Sequence, residues 1–284
     1  MCREGQVETK IELKDKFIGF VDILGYSALT RAAEKGLGLT LDDLAAITAA
    51  LGSEKDRQRI EKSGPHICPH APRLQKHVDF QLAQAWDSVV VSTEISPAGA
   101  ITLVSHCWTA CFQLLIKGVM CRGYIKRGRV HHQGASVFGS GHIDTVERER
   151  QVSFYKRDAG ERGTPFIEVD PEVVSYVEAQ GDQCVKEMFG RMVVTHEGLT
   201  ALFPIKRLGH SFMIGMPGYW FDATKELKNN DNMRSQIIDL KSKLRALTAG
   251  HGISVDRKSE HYIRALDEQL RRCDVTDEII RKLS

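Results

Sequence analysis

The stretch Phe20-Val21-Asp22-Ile23-Leu24-Gly25-Tyr26-Ser27 is the one on which the reading of this chain turns. It closes a short apolar run, residues 17–23, whose length and bulky side chains suit a buried strand. The run ends on an aspartate, where an unpaired carboxylate is costly. Gly25 then supplies a turn, and a helix is predicted from Ser27.

A second aspartate has a comparable setting. Residues 78–84 alternate, with Val78, Phe80 and Leu82 against Asp79, Gln81 and Ala83, which reads as a half-buried strand. Ser88–Thr93 reads as the next strand, so the two form a hairpin with Asp87 at its tip. Two carboxylates on neighbouring strands suit two hard divalent cations, which take carboxylate oxygens and complete their shells with substrate phosphates. The Gly25-Tyr26-Ser27 turn, leading into a helix start, offers backbone N–H groups to a phosphate. Taken singly, each aspartate reads as a turn cap or a lysine partner. The pair, with Gly-x-Ser after the first, leaves the structural and metal readings in balance.

The remaining pattern is mixed α/β. Residues 40–62 read as a helix capped by Thr40 and interrupted at Gly52-Ser53. Residues 63–76 hold three prolines and read as a loop. Pro97 opens an apolar-striped helix to about 117, expected to pack on a sheet. Residues 119–126 alternate, placing Arg122, Tyr124 and Lys126 on one face and Cys121, Gly123 and Ile125 on the other. A glycine-rich turn is expected next, then a helix over 139–150, a strand over 165–169 and a short helix from Pro171. A small hairpin is predicted around Glu197-Gly198, and two charged amphipathic helices over 225–247 and 258–283.

Composition bounds the function. The chain has 284 residues, 39 Lys+Arg against 37 Asp+Glu, and a formal charge of +2. That balance excludes a polybasic coat for nucleic acid, so an anionic substrate must be held by a local site. Seven cysteines without a CxxC pair read as reduced, buried thiols of a cytoplasmic protein. The polar start, residues 1–10, has no signal-peptide core, and no stretch is expected to span a membrane. His66, Cys68 and His70 alternate in the proline-rich loop without a standard zinc spacing, and His131-His132 are expected to be exposed.

Four segments in order carry a family resemblance. Residues 20–27 resemble the first metal motif of class III nucleotide cyclases, and residues 85–92, AWDSVVVS, resemble the second. Residues 121–128, CRGYIKRG, resemble the later strand, and residues 138–149, FGSGHIDTVERE, resemble the helix motif of the pyrimidine cyclases of bacterial Pycsar antiphage systems. TPFIEVDPEVV (164–174) and HEGLTALFPIKRL (196–208) are similar to that branch as well, so the resemblance covers about residues 15–205.

The resemblance implies a catalytic domain over residues 1–222, with a mainly antiparallel sheet and helices on one face, and leaves residues 223–284 as a C-terminal helical extension. It implies conversion of UTP, favoured over CTP, to the 3′,5′-cyclic monophosphate and pyrophosphate. It also implies a homodimer with sites at the interface, two Mn²⁺ or Mg²⁺ ions per site, and a product acting on a separate effector protein. Asp22 and Asp87 match the metal-binding aspartates, and Ile23 the residue whose carbonyl ligates the second metal. Phe20, Gly25, Tyr26 and Ser27 fall in the substrate-holding stretch.

Departures from the adenylate-cyclase pattern matter too. Ala83 and Ser136 stand where that pattern has its purine-selecting Lys and Asp, which is consistent with a pyrimidine base. Ile143 and Glu147 stand where it has the transition-state Asn and Arg. Arg122, then Lys126, are the candidate replacement cations, with Arg148 and Arg150 nearby in sequence. Tyr124 either stacks on the base or packs, and Glu147 and Glu149 are expected to pair with arginines. The alternative reading is a degenerate cyclase-like module that binds nucleotide without turning it over. A diguanylate cyclase or polymerase palm is disfavoured by the lack of a GG[DE]EF hairpin.

Overall fold

The computed structural model describes residues 11–63, 75, 77–161, 163–205, 221–249 and 253–283. The first strand, β1 (Lys14–Ile23), leads into α1 (Tyr26–Ala33), α2 (Leu41–Ala49) and α3 (Glu54–Ser63). The expected break at Gly52-Ser53 separates α2 from α3. Thr40 caps α2 in a reciprocal box with Asp43. The hairpin is β2 (Gln81–Ala85) and β3 (Ser88–Glu94), followed by α4 (Pro97–Leu115), whose N-cap is Ser96.

Next comes β4 (Cys121–Gln133), which runs straight through the turn expected after 126. Its pairing partner β1 begins at Lys14, and the ladder from Ile23↔Cys121 to Lys14↔Val130 keeps both strands extended past the glycines. The chain reverses later, at Gly134, into β5 (Ser136–Phe138) and α5 (Ser140–Glu149). Then follow β6 (Ile167–Val169), α6 (Pro171–Glu178), α7 (Gln183–Met192), β7 (Val193–His196) and β8 (Leu199–Leu202). Helix α7 was not expected from the sequence. The C-terminal pair is α8 (Ala223–Thr248) and α9 (Ile253–Leu283).

The sheet order is β2-β3-β1-β4-β6-β8-β7, with β5 paired to β4. Every pairing is antiparallel except β4 with β6. The first four strands and their connections make a split β-α-β-β-α-β unit, with β1 central between β3 and β4. This is a mixed α/β fold with a mostly antiparallel sheet and a C-terminal helical region.

Alternation along β1 divides the two sheet faces. Phe17, Val21 and Ile23 enter one apolar cluster with α4, α6 and α7. Phe20 and Asp22 point to the opposite face, as do their partners Tyr124 and Arg122 on β4. Part of that second face is covered by α5. A Cβ on Gly128 would lie 2.7 Å from the Cα of Gly141, so only paired glycines let α5 sit directly on the β4 backbone. The C-terminal pair covers another part: Tyr124, Phe154, Phe166 and Phe203 share one cluster with Ile237, Leu244, Tyr262 and Leu266. Among the described residues, α4 alone is long and apolar enough to cross a membrane, and two-thirds of it is buried in this protein's core. Cys107, Cys111, Cys121, Cys184 and Cys273 are free thiols.

Candidate active site

Asp22 is the last residue but one of β1, and Asp87 is the second residue of the two-residue β2–β3 turn. The two segments are joined where it matters: the Ile23 N–H donates to the Asp87 carbonyl at 2.9 Å, and Asp22 lies directly opposite Ser88. On its other side Asp22 lies opposite Arg122. Neither carboxylate accepts a hydrogen bond from a described residue. The acid of Asp22 is pushed up to about 7, first by burial, then by the negative charges of Glu149 and Asp87, with Arg122 pulling the other way. This is a half-buried cluster of negative charge whose neutralisation is incomplete.

The residues fit divalent cations of the magnesium type. No group of three or more His, Cys, Asp or Glu side chains able to hold a metal occurs among the described residues. A cation here would therefore draw on Asp22, Asp87, the Ile23 carbonyl and oxygens of substrate and water, the sparse protein share that such ions accept.

Two residues past β1, Gly25 takes the left-handed conformation (φ 77°) and caps α1, which starts at Tyr26. The first N–H groups of a helix lack intrahelical acceptors, so Tyr26 and Ser27, which follow β1 after a two-residue turn, present free donors. Ser27 is exposed, while Tyr26 packs partly on the core. Phe20 is half-buried on the Asp22 face.

Arg122 is the cation nearest this cluster in register. Its guanidinium donates to the buried carboxylate of Glu149 at the end of α5. The expectation that Glu149 pairs with an arginine thus has a specific partner. The backbone of Gly163 lies against the same guanidinium. Lys126 lies two positions further along the face and donates to Asp144 at 2.7 Å. Tyr124 lies between them, buried, with its hydroxyl donating to Asp170 at 2.9 Å. Burial and the Asp170 charge raise its phenol. The fold therefore gathers Asp22, Asp87, the Gly25 turn and Arg122. It sets Tyr124 in the core and Lys126 in a separate ion pair.

Sequence reading missed two contributors. Lys258 of α9 is half-buried, and its ammonium is lowered by burial and then by Arg122, with Glu149 and Glu161 opposing, so it shares the Arg122 neighbourhood. Gly163 is the other. Neither carries a local motif; both arrive through tertiary packing.

His132, expected at the surface, is buried because β4 continues past it. Its Nδ1 meets Ser92 Oγ at 2.9 Å, and burial, then Lys16, lower its pKa to about 4. The candidate His66, Cys68 and His70 lie outside the described residues, as does nearly all of 212–221.

No family model matches the chain, and no curated protein matches it. Among solved structures, a class III adenylyl cyclase-like ATP-binding protein from Pseudomonas aeruginosa is similar over 62% of this chain, at 10% identity and a TM-score of 0.34. The matched part spans 40% of that protein's length.

Proposed function

We propose that this protein is a nucleotide cyclase that converts a pyrimidine nucleoside triphosphate, UTP ahead of CTP, to its 3′,5′-cyclic monophosphate and pyrophosphate. The observation that carries the reading is the junction of Asp22 with Asp87 at one strand end, beside a helix start that offers N–H donors; neither carboxylate takes a hydrogen bond from a described residue. Bound Mn²⁺ or Mg²⁺ would supply charge neutralisation and acidify the ribose 3′-hydroxyl.

The chain's own residues do the positioning. Asp22 and Asp87 hold the cations, and the Ile23 carbonyl adds an oxygen. The N–H groups of Gly25, Tyr26 and Ser27 receive the phosphates. Arg122 faces the charge that develops as the P–O bond to pyrophosphate breaks, and the 3′-oxygen bonds to the α-phosphorus in its place. Ala83 and Ser136 leave the base site without the charges that select a purine, which supports a pyrimidine.

A homodimer with interfacial sites belongs to the same reading. Large apolar side chains are exposed: Trp86 at the hairpin tip beside Asp87, Ile143 on α5, and Phe138 on β5 near the far end of β4. They suit a second copy closing over the substrate. In this reading the enzyme works in the cytoplasm, and the cyclic product acts on a separate effector in antiphage defence.

The pairing of Arg122 with Glu149 favours one alternative, a cyclase-like module that binds nucleotide without turnover. One assay separates them. The purified protein is incubated with each of the four nucleoside triphosphates and Mn²⁺, and products are identified by mass. A cyclic pyrimidine is expected. Binding without any cyclic product would leave the module, and a cyclic purine as main product would remove the substrate assignment.

A further inference from the structure

A second cleft lies away from the two aspartates, between the segment after α5, the β7–β8 hairpin and α9. Its volume is about 420 Å³, within the ~300–1,000 Å³ typical of small-molecule sites. Its apolar part comes from Tyr155, Val194, Phe203 and Ala265. Its rim carries three guanidiniums, Arg157, Arg264 and Arg272. The one lining carboxylate, Glu268, is engaged by Arg271 at 2.6 Å. Arg264 and Arg272 stand 3.7 Å from their nearest carboxylates, beyond hydrogen-bond reach. The guanidinium of Arg157 makes no hydrogen bond to a described residue. Three guanidiniums thus stand at one aromatic cleft, Arg264 and Arg272 in long ion pairs with Glu260 and Glu268.

Gln269 is the independent observation. It occupies the inward stripe of α9 with Tyr262, Leu266 and Cys273, where helical spacing calls for an apolar residue, and it is only 5% exposed. Other buried polar residues on α9 are satisfied: Ser259 by the Asp256 carbonyl, His261 by Glu161, and Asp277 by Asn230. The Gln269 amide has no such partner among the described residues, and it lines the cleft. The side chain as a whole is buried while its amide is not among the polar atoms sealed from solvent, so the amide opens into the cleft. An amide offers an acceptor and two donors side by side, which complements the donor–acceptor edge of a nucleobase. Tyr155 brings an aromatic ring to the cleft wall, the kind of partner a base packs against.

We propose that this cleft binds a mononucleotide, with the base held by Gln269 and Tyr155 and the phosphate by Arg157, Arg264 and Arg272. The proposal stands without the cyclase reading, since it uses none of that site's residues. Forked guanidiniums suit a phosphate's oxygens, and several at one rim give affinity that falls with salt.

The test is calorimetric titration of the full chain, in EDTA so that no divalent cation recruits nucleotide to the aspartates. The probes are the four nucleoside 5′-monophosphates, the four free nucleosides and inorganic phosphate. At least one monophosphate is expected to bind with a stoichiometry of one. Gln269→Met and the exposed-rim variants Arg157→Ser and Arg272→Ser are each expected to weaken it at least tenfold. The rim variants should leave the melting temperature unchanged. No saturable binding at millimolar nucleotide would overturn the proposal. So would equal binding of free phosphate or of the nucleosides. So would binding abolished by Asp22→Asn and untouched by the Gln269 and arginine variants.

Discussion

Gly163 and Arg122 are in direct contact: a Cβ built on Gly163 would fall 2.2 Å from Nη1 of Arg122 and 3.1 Å from its Cζ. The glycine has φ of +64°, so its conformation and its missing side chain are both used. The same guanidinium pairs with Glu149, and Arg122 lies opposite Asp22 in the β1–β4 register, so Gly163 leaves room for the guanidinium in that pairing.

Gly163→Ala should therefore act on chemistry through Arg122. The methyl group displaces the guanidinium by about an ångström, and misplacement of that size costs about 10²-fold in rate. The expected outcome is a fall of roughly 10–100-fold in kcat, with a cooperative melt retained. Arg122→Lys should fall as far, because an ammonium lacks the fork that Glu149 holds. A Gly163→Ala enzyme with normal kcat would show that Arg122 takes no part in the transition state.

Asp22 gives the molecule a pH dependence of defined sign. Its folded-state acid is raised to about 7 from an ordinary 3.8, mainly by burial. A raised carboxyl binds its proton more tightly when folded. Its favourable contribution is complete below the unfolded value and disappears as pH rises through the folded one. The metal-free protein should lose stability between about pH 4 and 7 from this group. A rise of that size corresponds to ~4 kcal/mol, and the partly exposed position reduces this to roughly 1–3 kcal/mol. Asp22→Asn should flatten that part of the melting-temperature profile, raise the melting temperature at about pH 8 and abolish activity. Mn²⁺ should stabilise the unmutated protein more at about pH 8 than at about pH 5, because protons compete for the same oxygens. A melting profile identical with and without Asp22 would remove the assignment.

The legible part of this site was local. An apolar run ending in Asp22, a Gly25 turn, and an alternating hairpin around Asp87 carry their geometry in adjacent residues, and period and turn chemistry suffice to read them. The face shared by Arg122, Tyr124 and Lys126 follows from alternation as well. Which of those three meets Asp22 does not, because that depends on the β1–β4 register. Gly128 and Gly141 look like turn signals in sequence. In the fold they make a close helix-on-strand contact, and so β4 is longer than its glycines suggest. Lys258 reaches Arg122 from 136 positions later in the chain, a distance no spacing rule covers.

Trp86 stores strain beside the aspartates. It holds the first turn position between Ala85 and Ser88 at φ 55°, where two-residue hairpins favour glycine, and it is 89% exposed. A bulky residue in that region costs of order 1–3 kcal/mol. Trp86→Gly should hold or raise the melting temperature. In a dimeric cyclase it should weaken self-association or raise KM, since the exposed ring is free to meet a second copy. Sedimentation across a concentration series and substrate kinetics check this together. A variant unchanged in association and KM would leave the exposed indole without a role.

The C-terminal helices share a core with the sheet, which fixes what their removal does. Tyr262 is fully buried, packs on Phe166 with ring centroids 5.2 Å apart, and donates to the Pro165 carbonyl at 2.6 Å. His261, next to it, meets Glu161 at 2.6 Å. These contacts hold Glu161 on one side of Gly163 and Pro165 and Phe166 on the other, and so bear on Arg122. Deleting residues 223–284 would expose Tyr124, Phe154, Phe166 and Phe203 together, an apolar surface no isolated sheet edge tolerates. The truncated chain is expected to be insoluble or to lack a cooperative melt. Tyr262→Phe removes the bond to the Pro165 carbonyl and the contact of the same hydroxyl with Cys111 Sγ while keeping the ring, so it should cost about 1–3 kcal/mol. If the grip reaches Arg122, the same variant lowers kcat beyond what its lost stability explains. A truncation at 222 that melts cooperatively and cyclises at the full rate would show that the two helices serve neither fold nor site.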